Sequence, residues 1–108
     1  MSDTIRNVNV HEFSEIIKSE KGILLDVRTP GEFADGHLAN CTLIDFNSPD
    51  FPTKISGLDK EENYFIYCRS GNRSMRAIQL MQQMGFKKMA NMDGGIIAWH
   101  QNGLPLEK

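Results

Sequence analysis

The chain has 108 residues, of which 40% are apolar and 24% are charged, and its formal net charge is −2. These values are ordinary for a soluble globular protein, and the length predicts one domain with one core, covering residues 1–108. The near-neutral charge argues against nucleic acid as a partner. No window approaches the ~20 apolar residues of a membrane span, and the N-terminus lacks the apolar region of a signal peptide. We therefore expect a cytoplasmic protein with no membrane partner.

The two cysteines, Cys41 and Cys68, show neither a CxxC spacing nor a Cys/His cluster at metal-binding spacing. A disulfide between them is disfavoured in a reducing cytosol. Cys41 opens an apolar run, so we expect it to be a core residue.

The first half of the chain alternates between strand and helix patterns. Apolar runs predict strands at Ile5–Val8, Ile23–Val27 and Cys41–Phe46. Helices are predicted to begin at three signals, which are Asn9 three residues before Glu12, Thr29-Pro30-Gly31-Glu32, and Ser48-Pro49.

The second half continues this alternation. Tyr64–Tyr67 predicts a buried strand, Met75–Met84 predicts a helix, and Lys88–Met92 predicts a short strand. Asp93-Gly94-Gly95 is expected to open a last helix, which contains Trp99. Regular alternation is typical of an α/β domain with a mostly parallel sheet and helices on both faces. The sequence therefore predicts a three-layer α/β/α fold with five strands.

Cys68 stands at the carboxyl end of a predicted strand, and the five residues RSGNR lead from it towards a helix. Gly71 and Asn72 tolerate left-handed backbone angles, so the loop can curl until its N–H groups converge. The helix N-terminus adds unpaired N–H groups and partial positive charge, and Arg69 and Arg73 add cationic side chains. Such surroundings favour the thiolate, which is the nucleophilic form of cysteine. The pattern indicates an anion-binding loop with a reactive sulfur at its base, against the simpler alternative of a buried, inert cysteine.

Three blocks of the chain resemble the rhodanese-like sulfurtransferase domain. They are LLDVRTPGEFADGHLANC at residues 24–41, YFIYCRSGNRS at 64–74 and MDGGIIAWHQNGLPL at 92–106, in the family's order and spacing. The resemblance implies a rhodanese-like fold and a persulfide mechanism without a metal or an organic cofactor. Cys68 would take a sulfane sulfur from thiosulfate or a persulfide donor. It would then pass this sulfur to a thiophilic acceptor, which is cyanide, a thiol or a partner protein.

The resemblance also implies roles for the residues around Cys68. The substrate-binding loop is expected to comprise Arg69, Ser70, Gly71, Asn72, Arg73 and Ser74. Within it, Ser74 is expected to cap the following helix, and Arg69 or Arg73 to hold the oxyanion end of thiosulfate. Which of the two arginines does so stays open.

Three other features have expected supporting roles. Asp26 and Arg28 end a neighbouring strand, and we expect them to brace the loop through hydrogen bonds and charge pairing. Gly94-Gly95 is expected to let the chain pass close to the sheet edge. His37 is expected to brace the turn after Gly36. The two remaining histidines, His11 and His100, are expected at the surface.

Two other functions stay open. Cdc25-type phosphatases and arsenate reductases have a similar loop with five residues between cysteine and arginine, whereas Arg69 to Asn72 make four here. The shorter ring suits a single sulfur atom better than a tetrahedral phosphate. The second alternative is a sulfur carrier that loads Cys68 and serves one partner protein. A catalytically inactive binding module is disfavoured because Cys68 is present.

Overall fold

The computed structural model of the protein describes residues 4–108. Five strands form one sheet, namely β1 Thr4–Val8, β2 Ile23–Asp26, β3 Thr42–Leu43, β4 Asn63–Tyr67 and β5 Lys88–Met92. Five helices connect or follow them, namely α1 Val10–Ser19, α2 Pro30–Asp35, α3 Phe51–Ser56, α4 Asn72–Gln83 and α5 Gly95–Gln101. The strand order is β1-β5-β4-β2-β3, and all paired strands are parallel.

The central strand β4 sends alternate side chains into two cores. Tyr64 and Ile66 enter a core that is covered by α3 and α4, whereas Phe65 and Tyr67 enter one that is covered by α1 and α5. The helices contribute buried apolar residues to these cores, namely Phe51, Ile55, Ala77, Ile78 and Met81 on one side and Phe13, Ile16, Ile96 and Trp99 on the other. The predicted three-layer α/β/α arrangement with five strands is therefore confirmed.

The predicted capping signals start the first two helices. The Asn9 side chain accepts the backbone N–H of Glu12 at 2.8 Å. Thr29 and Glu32 form a reciprocal capping box, in which each side chain accepts the other residue's backbone N–H. Because α2 is only six residues long, this box accounts for much of its local stability.

Three elements differ from the predictions by more than one residue at a boundary. β3 has two residues instead of the expected Cys41–Phe46 run, since its partner β2 ends at Asp26. Beyond β3, Ile44 and Phe46 each donate one backbone hydrogen bond, to the Asp26 and Val27 carbonyls. The third helix begins at Phe51, after a turn over residues 48–50. The fourth begins at Asn72 rather than Met75.

No helix within residues 4–108 has the length and apolar character needed to cross a lipid bilayer.

Candidate active site

Cys68 lies directly after β4, at the carboxyl edge of the sheet, and its side chain is fully buried. Its sulfur accepts the backbone N–H of Gly71 at 3.0 Å. The Ser74 hydroxyl oxygen lies 3.3 Å from the same sulfur. The predicted curled loop is therefore present, with the sulfur facing an amide donor and a hydroxyl group.

Gly71 makes the turn that carries the chain from Cys68 into α4. Its φ of +108° lies in the left-handed region, which strongly favours glycine. A Cβ atom there would be 3.6 Å from the nearest backbone atom, so the backbone conformation rather than crowding requires glycine. Gly71 is also the N-cap residue of α4, so the helix begins at the next residue, Asn72.

The expectation that Ser74 caps the helix is wrong. Ser74 lies inside the first turn of α4, where it is fully buried. Its hydroxyl donates towards Gly71 O, at 3.0 Å, and towards Asn91 Oδ1. Because Gly71 already ends the loop, Ser74 is displaced into the helix and turns back towards the sulfur.

The N-terminus of α5 holds the start of the loop. The backbone N–H of Ile96 donates to the Cys68 carbonyl at 2.9 Å, and that of Ile97 donates to the Arg69 carbonyl at 3.1 Å. A Cβ atom on Gly95 would lie 2.3 Å from the Arg69 carbonyl oxygen. The expected close approach of Gly94-Gly95 to the sheet edge is confirmed, and Gly95 is the residue that makes it possible.

Arg73 pairs with a residue that no pattern in the sequence places near the loop. Its guanidinium donates to both carboxylate oxygens of Glu32, at 2.7 and 2.8 Å. This hydrogen bonding lowers the pKa of Glu32 to about 2, and the bonds from Thr29 act in the same direction. Arg69 differs, since its side chain is exposed and forms no ion pair within residues 4–108.

Asp26 and Arg28 form a buried ion pair with an N–O distance of 2.7 Å. Asp26 also accepts the Tyr67 hydroxyl at 2.7 Å, and Arg28 donates to the Gly36 carbonyl at 2.7 Å. Within the described chain, no hydrogen bond joins either residue to residues 69–73. The hydrogen bonds of the pair therefore hold Tyr67 and the turn at Gly36. The pKa of Arg73 in the loop is raised by its hydrogen bonds to Glu32, and the Asp26 carboxylate helps to raise it. The expected bracing of the loop stays a prediction.

Tyr67 extends this buried polar group. Its hydroxyl accepts the backbone N–H of Leu38 at 3.1 Å and lies 3.6 Å from the sulfur of Cys41, which is half-buried against the core of α1 and α5. Burial and the neighbouring Asp26 carboxylate both raise the pKa of the Tyr67 hydroxyl well above its usual range. Tyr67 therefore remains a neutral donor, placed one residue before Cys68.

The histidines behave as expected. The His37 ring lies flat against the Phe33 ring, at a centroid distance of 3.8 Å, and its Nδ1 is 3.0 Å from the Phe33 carbonyl oxygen. His37 therefore braces the turn after Gly36. His11 and His100 are exposed.

Asn91 is a site residue that sequence reasoning missed. It lies in β5, is 2% exposed, and accepts the Ser74 hydroxyl through Oδ1. Its Nδ2 donates to Asn7 Oδ1 at 2.8 Å. A single amide among the apolar, buried residues Met89, Ala90 and Met92 was the available signal, because a buried polar group requires partners.

One cavity among the described residues is separate from this site. A cavity of about 450 Å³ lies in the layer of α1 and α5, where its lining includes Leu24, Phe65 and Trp99 but no residue from 68 to 74. Among the described residues, no group of three or more His, Cys, Asp or Glu side chains is placed to hold a metal ion. The sheet edge presents a sulfur that accepts an amide N–H, followed in the chain by the exposed side chain of Arg69.

Comparisons with known proteins agree with this geometry. The family model described as "Rhodanese-like domain" matches residues 9–102. The chain is 38% identical over 88 residues to a protein named "Sulfurtransferase" from Allochromatium vinosum, covering 82% of this chain and 80% of that protein. It is 34% identical over 91 residues to "Thiosulfate sulfurtransferase 16, chloroplastic" from Arabidopsis thaliana, covering 75% of this chain and 76% of that protein.

A solved structure is similar over nearly the whole fold. The crystal structure of a rhodanese-related protein from Thermoplasma volcanium superposes with a TM-score of 0.83 at 31% sequence identity, covering 94% of this chain and 97% of that chain. The names of the relatives support a sulfurtransferase. On the family match, the sequence identities and the shared fold, this chain belongs to the rhodanese-like domain family.

Proposed function

We propose that the protein is a thiosulfate sulfurtransferase in which Cys68 carries the transferred sulfur as a persulfide. The observation that supports this most directly is the position of the Cys68 sulfur, which lies under the curled loop and accepts the Gly71 N–H at 3.0 Å. An amide donor that is already in place stabilises negative charge on sulfur without reorganisation. Family membership and relatives named as sulfurtransferases support the same chemistry.

The reaction takes two displacements. In the first, the Cys68 thiolate attacks the outer sulfur of thiosulfate, the S–S bond of thiosulfate breaks, and sulfite leaves with the bonding electron pair. The product is the Cys68 persulfide anion. In the second, cyanide or a thiolate attacks the outer persulfide sulfur, and the Cys68 thiolate is released. Two separate displacements through one covalent intermediate predict ping-pong kinetics.

The two arginines of the loop have different roles in this proposal. Arg73 is engaged by both oxygens of Glu32, so it positions the end of the loop. Arg69 is exposed and unpaired within the described chain, so it is available for the sulfonate group of thiosulfate. The amides of Ser70, Gly71 and Asn72 complete the loop around the outer sulfur. A phosphatase would need a longer loop and a free arginine at its end, and neither is present in residues 68–74.

The test is the intact mass of the protein after incubation with thiosulfate. We expect the gain of one sulfur atom, its removal by cyanide with release of thiocyanate, and no gain in Cys68→Ser. Cys41→Ser is the matched control and should load like the wild type, because Cys41 lies beside Tyr67 rather than in the loop. Absence of sulfur gain in the wild type would contradict the proposal. Phosphate-ester hydrolysis and arsenate reduction would then be assayed with the same three proteins.

A protein acceptor is distinguished from a small acceptor by the second half-reaction. Loaded protein that releases its sulfur to cyanide or a small thiol over many cycles is an enzyme of the proposed kind. Loaded protein that keeps its sulfur in the presence of both acceptors is a carrier, and this result would contradict turnover with small molecules.

A further inference from the structure

A buried series of hydrogen bonds runs from Cys68 towards the surface near β1. The Ser74 oxygen is 3.3 Å from the Cys68 sulfur and donates to Asn91, which in turn donates to Asn7 Oδ1 at 2.8 Å. Ser74 and Asn91 are 0% and 2% exposed, whereas Asn7 is exposed. We call Ser74, Asn91 and Asn7 the polar series. It crosses from α4 over β5 to β1, which pairs with β5 in register at Asn7 and Asn91.

In the arrangement seen here, the polar series suits an uncharged sulfur. A serine hydroxyl has one proton, and the acceptors available to the Ser74 proton are Asn91 Oδ1 and the Gly71 carbonyl. Both acceptors draw that proton away from the sulfur. The Ser74 oxygen then faces Cys68 with its lone pairs, so it can accept an S–H proton but cannot donate to sulfur.

A negatively charged sulfur needs the opposite arrangement. The charge is present on the Cys68 thiolate and again on a persulfide anion, and only donors stabilise it. If Ser74 turned its proton to the sulfur while Asn91 stayed fixed, two lone-pair oxygens would face each other in a buried place without a proton between them. Unpaired buried polar groups of this kind are costly, so Ser74 alone cannot make the change.

Asparagine at position 91 removes this conflict. Turning its amide by 180° exchanges Oδ1 and Nδ2 at nearly the same positions, so Nδ2 then donates to the Ser74 oxygen. Oδ1 is then directed at Asn7, whose own amide is at the exposed end of the series and is free to turn its Nδ2 inward. Every group remains paired in both states.

We propose that Asn91 is a positioning residue whose amide turns with the charge on Cys68, so that Ser74 donates to the sulfur when it is charged. The inference rests on the proposed function for the reaction that it serves. The hydrogen-bond switch itself concerns the free thiol and is therefore testable without any sulfur donor.

The decisive variant is Asn91→Asp, which has nearly the same shape but offers two acceptor oxygens. It keeps the Ser74 proton away from the sulfur, so we expect alkylation of Cys68 by iodoacetamide at pH 7 to slow by about 10-fold or more, because the charged sulfur lacks the hydrogen bond from Ser74. Alkylation is followed by mass spectrometry of the peptides. Cys41 is alkylated in the same sample, and an unchanged Cys41 rate shows that the reagent and the core around Tyr67 are the same in both proteins.

The negative charge that Asn91→Asp introduces must be separated from its hydrogen bonding. The same substitution is therefore made in a Ser74→Ala background, where an effect through Ser74 is lost but an effect through space persists. We expect the slowing there to be about 10-fold smaller than with Ser74 present, since direct repulsion by the buried charge persists in both backgrounds and only the effect through Ser74 is lost. The charged side chains of the loop and behind it are identical in all variants, namely Arg69, Arg73, Glu32 and Asp26.

Equal slowing in both backgrounds would overturn the proposal, and so would unchanged alkylation of the Asn91→Asp protein. If that protein does not fold, Asn7→Asp takes its place at the exposed end of the series. Acceptors at position 7 keep the Asn91 Nδ2 turned outward, so we expect slowing of roughly 3-fold with Ser74 present and none in the Ser74→Ala background. No slowing in that pair would also overturn the proposal. Failure of sulfur loading with thiosulfate would leave these alkylation results standing.

Discussion

Glu32 and Arg73 join two helices although they are 41 positions apart in the sequence. Their bidentate contact links α2 to the first turn of α4, and the Arg73 and Glu32 side chains are only 22% and 26% exposed, so both are mostly shielded from solvent. Bidentate geometry fixes both the distance and the orientation of the guanidinium. The end of the Cys68 loop is therefore set by α2, whereas its start is set by α5.

Replacement of Glu32 by Gln should lower the unfolding free energy in a way that depends on pH, because the Arg73 contact requires a charged carboxylate. The pKa of Glu32 is lowered from 4.5 to about 2, so its contribution is complete above about pH 4.5 and is lost as the pH falls towards 2. We expect the variant to lose about 1–2 kcal/mol of unfolding free energy at pH 7, less than the pKa shift alone implies because solvent screens the pair.

Urea denaturation at pH 7 and pH 3 measures the difference in unfolding free energy between the wild type and Glu32→Gln. This difference should fall by more than half at pH 3. Asp35→Asn is the matched control, since Asp35 is exposed on the same helix and forms no ion pair within residues 4–108. An equal difference in unfolding free energy between the wild type and Glu32→Gln at both pH values would show that Glu32 acts through packing rather than charge.

Arg69 and Arg76 provide a comparison between two exposed cations near the same loop. Arg69→Ala should raise the KM for thiosulfate by about 10-fold or more, since a charged hydrogen bond to substrate is worth about 1.5–3 kcal/mol. Arg76→Ala should change it by less than about 2-fold, as expected for a screened surface charge. Steady-state sulfur transfer to cyanide measures both values. Equal effects would mean that Arg69 contributes only to the general positive field.

Gly95→Ala should damage the site through the backbone. A Cβ atom at Gly95 would lie 2.3 Å from the Arg69 carbonyl oxygen, and φ is +61°. We expect a loss of at least about 2 kcal/mol of unfolding free energy, from steric overlap together with left-handed strain. Urea denaturation measures this loss, and Gly31→Ala is the control variant, for which a gain in unfolding free energy is expected. Gly31 lies in α2 with no atom within 4 Å of its Cβ position, so a gain of about 0.5 kcal/mol is expected. A mild effect at Gly95 would mean that α5 shifts without cost.

The two tyrosines of β4 allow the contribution of a buried hydroxyl group to stability to be compared with that of a hydroxyl group near the surface. Tyr67→Phe removes the donor to Asp26 and leaves the Leu38 N–H without its acceptor, so we expect a loss of about 2–3 kcal/mol. Tyr64→Phe removes only a bond of 2.7 Å to the Asp59 carbonyl, which lies in a polar turn, and about 1 kcal/mol is expected. Thermal and urea denaturation of both variants give the comparison. The reverse order would contradict the assigned role of the Asp26–Tyr67 bond.

Much of the fold is predictable because its boundaries carry local signals. Thr29, Pro30 and Glu32 stand at fixed offsets that start a helix, and the predicted strand Lys88–Met92 has the same bounds as β5. The location of the reactive cysteine follows from the order of strand, loop and helix. Glycine at position 71 predicts the curled loop, and its φ of +108° agrees with that expectation.

One error at the site is local, whereas the contacts that the sequence did not predict join distant positions. Serine often precedes a helical pattern, which favours Ser74 as a cap, but Gly71 starts α4 earlier and leaves Ser74 in its first turn. The pairing of Arg73 with Glu32 bridges 41 positions, and that of Ser74 with Asn91 bridges 17. Periodicity and capping rules act over a few residues, so they contain no information on such pairs.

The hydrogen bonds from α5 to the Cys68 and Arg69 carbonyls make the geometry of the Cys68 loop depend on the last helix of the chain. During synthesis the cysteine emerges well before residues 95–97, and until those residues dock, the loop lacks the two amide bonds that hold its start. Partly made or partly folded chains therefore present a thiol without its geometry. On the proposed function, sulfur transfer would therefore report that the last helix has docked against the sheet edge.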